Sequence, residues 1–263
     1  MADDFKLASG VEAKALIPLL GRPMVEYSIE AARGCTGVQQ VCVVAGEWFL
    51  RLAAATRVEH YVPDHGHEVD NLFAALDTLG SDDPTLMLTA DTPLITPALL
   101  EAFLASLPPE ADVGYSFVER ERILERFADR RGRSGTTRDG WVFVRLAEGQ
   151  FTGSSLVYFR PEALRRNEPL LRQVMDARRQ AWRLALLIGP LLILRAIAQQ
   201  LLPTSILSWR DIERRMGELA GCNCVGLVSD QPELAFDVDY PTDIELAGRE
   251  LRAQGWQEAD AAG

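Results

Sequence analysis

A continuous apolar run at Thr85–Ala90, ended by Asp91-Thr92-Pro93 and followed by a helix from Thr96-Pro97, constrains the fold of this chain most strongly. The run is typical of a strand buried on both faces, and Thr96 and Pro97 supply the N-cap and the first position of the helix. An earlier run, Val38–Ala45, is also β-branched and apolar. Because strands that alternate with helices form parallel sheets, the sequence predicts an α/β fold with a mostly parallel, Rossmann-like sheet flanked by helices.

The pattern changes after Pro108-Pro109, where further strands and a helix-rich stretch are predicted. An arginine-rich segment, Arg120–Arg138, is expected to be a mobile surface loop. Apolar spacing predicts a helical insertion over about residues 161–219, and we expect residues 1–263 to form one domain. The remaining predicted strands are Glu59–Val62, Val113–Val118, Trp141–Leu146, Ser155–Phe159 and Cys224–Val228. The remaining predicted helices are Pro23–Arg33, Glu47–Ala55, Asp70–Gly80 with Asp70 as its N-cap, Ser208–Leu219 within the insertion, and Pro241–Ala253.

Charge and composition exclude several classes of protein. With 27 Lys+Arg against 38 Asp+Glu the net charge is -11, which repels a phosphate backbone, so we expect no nucleic-acid partner. The most apolar run, Leu184–Leu194, is too short to cross a bilayer, so no membrane span is predicted. Four cysteines in a chain of 263 residues, together with a polar and acidic Met1–Gly10 stretch, predict a cytoplasmic protein.

Charged residues at three places suggest a site. Asp91 directly follows a buried strand, where parallel sheets bind ligands, and its carboxylate suits Mg²⁺. Lys14 precedes an extended stretch that ends at Gly21, and Asp237 and Asp239 alternate along a strand before the last helix. Each feature also has a structural interpretation, namely a turn at Asp91, a solvated lysine, and capping of the last helix by Asp239 and Asp243.

Together the three segments resemble the MobA-like NTP transferases, nucleotidyltransferases with a Rossmann-like GT-A fold. Lys14–Met24 resembles the family's Lys-x-Leu-x-Pro-x-x-Gly-x-Pro-Met segment, Asp91–Leu94 its Asp-x-Pro-Leu segment, and Asp237–Asp243 its Asp-Val-Asp-x-Pro-x-Asp segment. Gly66 and Asn71 resemble the loop and helix start near the base, and Gly153 and Ser154 resemble the strand entry that faces the acceptor.

The resemblance implies a reaction in which an NMP moves from an NTP to a phosphorylated small-molecule acceptor and pyrophosphate leaves. Lys14 is then expected to stabilise charge at the α-phosphate, and Asp91 to hold Mg²⁺ with Asp237 or Asp239, of which Asp239 is preferred. Lys14, Gly66, Asn71 and Asp91 are the expected nucleotide-binding residues, with Gly153 and Ser154 binding the acceptor.

The family's N-terminal signature is not matched. It begins with a strand and a Leu-Ala-Gly-Gly-x-x-x-x-Arg loop whose N–H groups cradle phosphates. Here Leu7-Ala8-Ser9-Gly10 follows no apolar strand and lies close to Lys14. We therefore expect the first strand and the phosphate loop to be absent from this chain.

Two other functional classes stay open. A GT-A glycosyltransferase would use Asp237-Val238-Asp239 as its Asp-x-Asp metal site, although this late position and the Lys14 segment count against it. A catalytically silent regulatory or scaffolding protein would have kept the fold and lost the phosphate loop.

Other metal-ligand patterns are incomplete. His65 and His67 lack a third ligand, and Cys222 and Cys224 lack a second cysteine pair, so we expect neither to hold a metal. The apolar helices after Pro161 are candidates for a homo-oligomer interface.

Overall fold

A computed structural model describes residues 11–130, 140–177, 189–201 and 207–259. Its strands are β1 (Pro18–Leu19), β2 (Arg22–Pro23), β3 (Cys42–Ala45), β4 (His60–Pro63), β5 (Thr85–Leu88), β6 (Val113–Glu119), β7 (Val144–Leu146), β8 (Gly149–Phe159) and β9 (Cys224–Ser229). Its α-helices are α1 (Val25–Gly34), α2 (Glu68–Leu79), α3 (Pro97–Ser106), α4 (Arg120–Arg126), α5 (Pro161–Arg166), α6 (Glu168–Ala177), α7 (Pro190–Leu201), α8 (Trp209–Ala220) and α9 (Pro241–Ala253).

The larger sheet has the order β5-β8-β6-β9, with β7 paired to β8. β6 is parallel to β9, and β8 is antiparallel to both β5 and β6, so β5, β6 and β9 all run in one direction. β3 and β4 form a separate parallel pair. The α/β class with a Rossmann-like sheet is confirmed. The reversed β8 was not predicted. β8 begins at the end of the sheet where β6 finishes, so the chain does not cross back over the sheet between these two strands and they run antiparallel.

Helix α1 connects the two groups of strands. Val25 and Ile29 pack against Ala45 at the end of β3, and the Ser28 hydroxyl donates to the carbonyl of Thr89 just after β5 at 3.3 Å. Since both strands end against the same helix, their carboxyl ends lie at one edge of the molecule. This edge is where an open α/β sheet binds ligands.

A tight turn between β1 and β2 fixes the segment that carries Lys14. Leu20 and Gly21 both have positive φ, 48° and 77°. Two-residue hairpin turns use such angles because they match the right-handed twist of the flanking strands. Ile17 and Met24 flank this turn and are 1% and 0% exposed. Lys14 therefore sits just before a backbone that is anchored in the main core.

The start of α3 agrees with its sequence signals. The Thr96 hydroxyl accepts a hydrogen bond from the backbone N–H of Leu99 at 3.3 Å, and Pro97 is the first helical residue. The predicted N-cap of α2 is wrong, because α2 begins at Glu68 and the Nδ1 atom of His67 accepts from Val69 N at 3.3 Å. An imidazole, and not the Asp70 carboxylate, therefore accepts the capping hydrogen bond.

Thr96→Ala is expected to lower the free energy of unfolding by about 1 kcal/mol, because one N–H of α3 loses its acceptor. Chemical denaturation of the purified chain measures this change. The matched control is Thr78→Ala. The Thr78 hydroxyl, in the last turn of α2, bonds back to the Ala74 carbonyl, and its loss should cost less than about 0.5 kcal/mol. Equal losses in the two variants would contradict the capping role.

The expectation of a mobile loop at Arg120–Arg138 is wrong over its first part. Residues 120–126 form α4, and Ile123 and Phe127, one helical turn apart, are both fully buried. This apolar pair anchors the helix to the core despite the arginines around it. Residues 131–138 and the Leu7–Gly10 stretch lie outside the described residues.

The predicted helical insertion corresponds to helices α5 to α8. On α7, Leu194, Ile197 and Leu201 are 63%, 52% and 77% exposed. The homo-oligomer interface assigned to this region stays a prediction. Within the described ranges, no helix combines the length and the apolar character needed to span a membrane.

Candidate functional site

Lys14 and Asp91, 77 residues apart in the sequence, meet at the carboxyl edge of the sheet. The Lys14 ammonium donates to Asp91 Oδ2 at 2.6 Å and to Asp239 Oδ1 at 2.9 Å. The Lys14 side chain is 20% exposed and that of Asp239 is 45% exposed, so the cluster opens to solvent on the side of Asp239. The structure thus brings together residues from all three segments selected from the sequence.

Backbone contacts hold the Asp237–Asp239 segment beside Asp91. The N–H of Val238 donates to the carbonyl of Asp91 at 3.0 Å, and the Val238 side chain is fully buried. Residues that alternate along an extended chain lie on the same side. With Val238 pointing into the core, Asp237 and Asp239 are placed on the side of the Lys14 ammonium.

A buried ion pair lies beneath this segment. Asp243 is 0% exposed, and its Oδ2 atom accepts from the backbone N–H groups of Asp239 at 2.8 Å and Tyr240 at 2.9 Å. Arg130 is 1% exposed and donates to both carboxylate oxygens of Asp243. Arg130 also donates to the carbonyl and to Oδ1 of Asp237, at 2.7 and 3.1 Å.

The carboxyl groups of the site differ in their proton affinity. Burial and the nearby Asp239 charge raise the pKa of Asp237 to about 6, against the opposing effect of Arg130. Burial would also raise the pKa of Asp239, but the hydrogen bond and charge of Lys14 lower it below its ordinary value. For Lys14, burial is outweighed by Asp91 and Asp239, and its pKa is raised.

The cluster carries excess negative charge. Among the described residues it contains the four carboxylates of Asp91, Asp237, Asp239 and Asp243 and the two cations of Lys14 and Arg130. When all six groups are ionised, two negative charges remain unbalanced. This excess and the exclusively oxygen-bearing acidic groups fit a hard divalent cation such as Mg²⁺.

No group of three or more His, Cys, Asp or Glu side chains in the described part of the chain is already arranged around an ion position. Mg²⁺ is usually held by one or two carboxylates together with substrate phosphates. Asp91 and Asp239 already share one bridging ammonium, so both oxygens can approach a single cation.

Gly66 and Asn71, expected near the base, lie in a cleft of about 480 Å³ at the start of α2. Asn71 braces this loop, since its Oδ1 accepts from His65 N at 2.7 Å and its Nδ2 donates to Asp64 Oδ1 at 2.8 Å. Helix α6 supplies Met175 and Asp176 to the same cleft. The Asn71 amide is therefore engaged within the loop, whereas Gly66 leaves open space beside its backbone.

Gly153 and Ser154, expected to face the acceptor, lie on β8. Leu88 of β5 pairs with Leu156 of the antiparallel β8. Gly153 and Ser154 precede Leu156, so they lie toward the end of the sheet where Asp91 follows β5. The Ser154 side chain is buried and its hydroxyl bonds to the backbone of Leu156. A Cβ at Gly153 would lie 2.3 Å from the hydroxyl oxygen of Tyr115, which itself donates to the Ser154 carbonyl.

His67 and the two cysteines Cys222 and Cys224 have partners within the protein. His67 Nε2 lies 3.5 Å from Asp176 Oδ1, while its other nitrogen caps α2. The sulfur atoms of Cys222 and Cys224 are 3.7 Å apart, and burial raises the pKa of Cys224 to about 12. A thiol with this pKa is protonated at neutral pH and is a poor nucleophile.

The sequence model of the MobA-like NTP transferase domain matches residues 8–203, well over half of the chain. The chain belongs to this family. The family and fold implied by the three sequence segments are thus confirmed.

A solved structure of a hypothetical transferase from Thermus thermophilus shares the fold and is 30% identical in sequence to this family member. The two superpose with a TM-score of 0.76, over 92% of this chain and 93% of that one. CMP:2-keto-3-deoxy-manno-octonic acid synthetase complexed with CTP superposes with a TM-score of 0.58 at 18% identity, over 94% of each chain, and so shares the fold.

Two curated relatives are bifunctional GlmU proteins. The one from an Exiguobacterium species is 35% identical over 97 residues, which are 35% of this chain and 21% of that protein. The one from Thermus thermophilus is 28% identical over 182 residues, which are 57% of this chain and 40% of that protein. The matched stretches thus span less than half the length of these relatives.

The sequence did not indicate two features of these candidate regions. Arg130 lies in an arginine-rich run, which is usually a solvated surface, and no local signal marks it as buried. Met175 and Asp176 belong to the helical insertion, where the resemblance is least diagnostic. The Asp243 side chain had been interpreted as a helix cap, and it accepts from Tyr240 N as such a cap does.

Proposed function

We propose that this chain transfers an NMP group from an NTP to a phosphorylated small-molecule acceptor and releases pyrophosphate. The contact of one ammonium, that of Lys14, with the carboxylates of Asp91 and Asp239 carries this proposal. A cation beside two acidic groups at a sheet edge provides what a metal-triphosphate needs, namely a positive charge for the phosphates and oxygen ligands for the metal.

The chemistry requires alignment and charge neutralisation rather than proton removal. The nucleophile is a phosphate oxygen of the acceptor, which is ionised at neutral pH. It forms a bond to the α-phosphorus while the bond from that phosphorus to the bridging oxygen breaks, and pyrophosphate leaves. No general base is needed.

Each side chain then has a distinct role. Lys14 exchanges a carboxylate contact for the α-phosphate and stabilises the negative charge that develops there. Asp91 and Asp239 would hold Mg²⁺, with Asp237 next to them, and Mg²⁺ when bound supplies further charge neutralisation of the phosphate oxygens. The cleft at Gly66 is proposed for the base, and the β8 segment at Gly153 and Ser154 for the acceptor.

Pyrophosphate release tests the proposal. The purified chain is incubated with Mg²⁺, each of the four common NTPs in turn, and a panel of acceptors that includes sugar phosphates, a pterin phosphate and a phospholactate. We expect pyrophosphate only when one NTP and one acceptor are both present. A parallel incubation replaces the NTP with nucleotide sugars. Release of a nucleoside diphosphate there would instead indicate a glycosyltransferase.

Binding separates the proposal from a catalytically silent homologue. A thermal-shift titration with each NTP should show stabilisation that requires Mg²⁺, since ligands that bind the folded state raise its stability. The absence of Mg²⁺-dependent stabilisation with all four NTPs would favour the regulatory or scaffolding alternative.

A further inference from the structure

Arg130 is among the largest fully buried side chains, with an exposed fraction of 1%. Its guanidinium carbon lies 4.1 Å from the ring centre of Trp141 and 5.2 Å from that of Phe236. Arginine is almost never buried to this extent without a partner, because removing its charge from water is costly. Its place between two aromatic faces indicates a defined orientation rather than a solvated charge.

The guanidinium group contacts the acidic segment at several atoms. Its Nε and Nη2 atoms donate to the two carboxylate oxygens of Asp243, at 3.0 and 3.1 Å, in a bidentate pair. Nη2 also donates to the carbonyl and to Oδ1 of Asp237. Asp243 in turn accepts from the N–H groups of Asp239 and Tyr240. The Arg130 guanidinium therefore contacts the Asp237–Tyr240 turn directly at Asp237 and through Asp243 at Asp239 and Tyr240.

Capping of helix α9 does not by itself explain these contacts. The Asp243 carboxylate already accepts from Tyr240 N, as an N-terminal capping residue does. The contacts of Arg130 to Asp237 add nothing to the cap. They restrict the Asp237 side chain instead, and that side chain is 32% exposed on the same side as Asp239.

Two cations therefore contact the carboxylates of this cluster, one partly exposed and one buried. The partly exposed Lys14 ammonium contacts Asp91 and Asp239 from the open side, and the buried Arg130 guanidinium contacts Asp237 from the core side. The Lys14 side chain is 20% exposed, whereas Arg130 is 1% exposed and packs against Trp141 and Phe236.

We propose that Arg130 is a positioning residue, which aims the Asp237 carboxylate and holds the Asp237–Tyr240 turn at its distance from Asp91 so that a divalent cation can bind. This inference rests on the proposed function of the site. Partners that orient the ligands of a metal typically change its affinity by about 10- to 100-fold.

The sign of the effect separates positioning from simple charge. If Arg130 acted only through its positive charge, it would repel a cation, so Arg130→Met would bind the metal more tightly and Arg130→Lys would bind it as the wild type does. If Arg130 acts through its fork of donors, lysine keeps the charge but loses the bidentate geometry. Arg130→Lys then binds the metal about 10-fold or more weakly.

The experiment is a Mn²⁺ titration of the purified full chain, in which the EPR signal of free Mn²⁺ reports the dissociation constant well below the melting temperature of each variant. We expect Arg130→Lys and Arg130→Met both to raise the dissociation constant by about 10-fold or more. The matched control is Arg126→Met, since Arg126 lies on α4 and pairs with Glu233 and Glu250. It should lose stability and keep the wild-type dissociation constant.

A double-variant cycle tests whether Arg130 acts through Asp237. In the Asp237→Asn background, Arg130→Lys should have a smaller effect on the dissociation constant than in the wild type, because the side chain it aims is already altered. Wild-type Mn²⁺ affinity in Arg130→Lys would overturn the proposal, even if Arg130→Met fails to fold.

The two proposals fail in different ways. If the wild type binds Mn²⁺ and Asp91→Asn abolishes binding while Arg130→Lys does not weaken it, the positioning role is wrong and the proposed function stands. If the wild type binds neither Mn²⁺ nor any NTP with it, the proposed function is wrong and the role of Arg130 falls with it.

Discussion

Asp91→Asn is expected to reduce pyrophosphate release by about 100-fold or more, the largest loss of activity that we predict for a single substitution. The amide keeps the shape of the side chain but removes one of the two carboxylates that contact Lys14. A neutral amide is also a weaker ligand for Mg²⁺ than a carboxylate. Both the metal and the orientation of the ammonium are affected, so the rate should fall at saturating NTP.

Initial rates of pyrophosphate release at saturating NTP, Mg²⁺ and acceptor measure this effect. The matched control is Asp77→Asn, because the Asp77 side chain is 66% exposed on α2 and pairs with Arg165 on the surface. This control should keep more than half of the wild-type rate. An Asp91→Asn variant that is folded by its thermal transition and equally active would remove Asp91 from the proposed chemistry.

The residues that meet at the site could be selected from the sequence because each is marked locally. Asp91 follows a buried strand, Lys14 precedes a Gly turn, and Asp237 and Asp239 alternate before a Pro-initiated helix. Strand direction then places such residues at one edge of the sheet. The contact between Lys14 and Asp91 follows from that topology and from the buried anchors Ile17 and Met24.

The features that were missed depend on contacts between distant segments. Arg130 is buried because Asp243, 113 residues further along the chain, and two aromatic rings enclose it. No pattern within the arginine-rich run encodes that environment. The direction of β8 likewise depends on the end of the sheet at which the chain re-enters, and the spacing of apolar residues along the strand does not encode that direction.

Asp243→Ala is expected to lower the free energy of unfolding by about 3–5 kcal/mol, the largest loss of stability that we predict. The carboxylate is 0% exposed and accepts hydrogen bonds from Arg130, Asp239 and Tyr240. Its removal leaves part of a buried guanidinium and two backbone N–H groups without their acceptor. At about 2–4 °C per kcal/mol for a chain of this size, the melting temperature should fall by roughly 10 °C.

A second aspartate in the same type of cap provides the control. Asp211 at the start of α8 accepts from the backbone N–H of Ser208, as Asp243 does from Tyr240, but its side chain is 21% exposed. Asp211→Ala should therefore cost only about 1 kcal/mol, the usual value of a cap. Denaturant unfolding measures the loss in the free energy of unfolding for both variants. Equal losses would mean that Asp243 acts only as a cap, whereas a difference of about 2 kcal/mol or more would assign the remainder to the buried pair with Arg130.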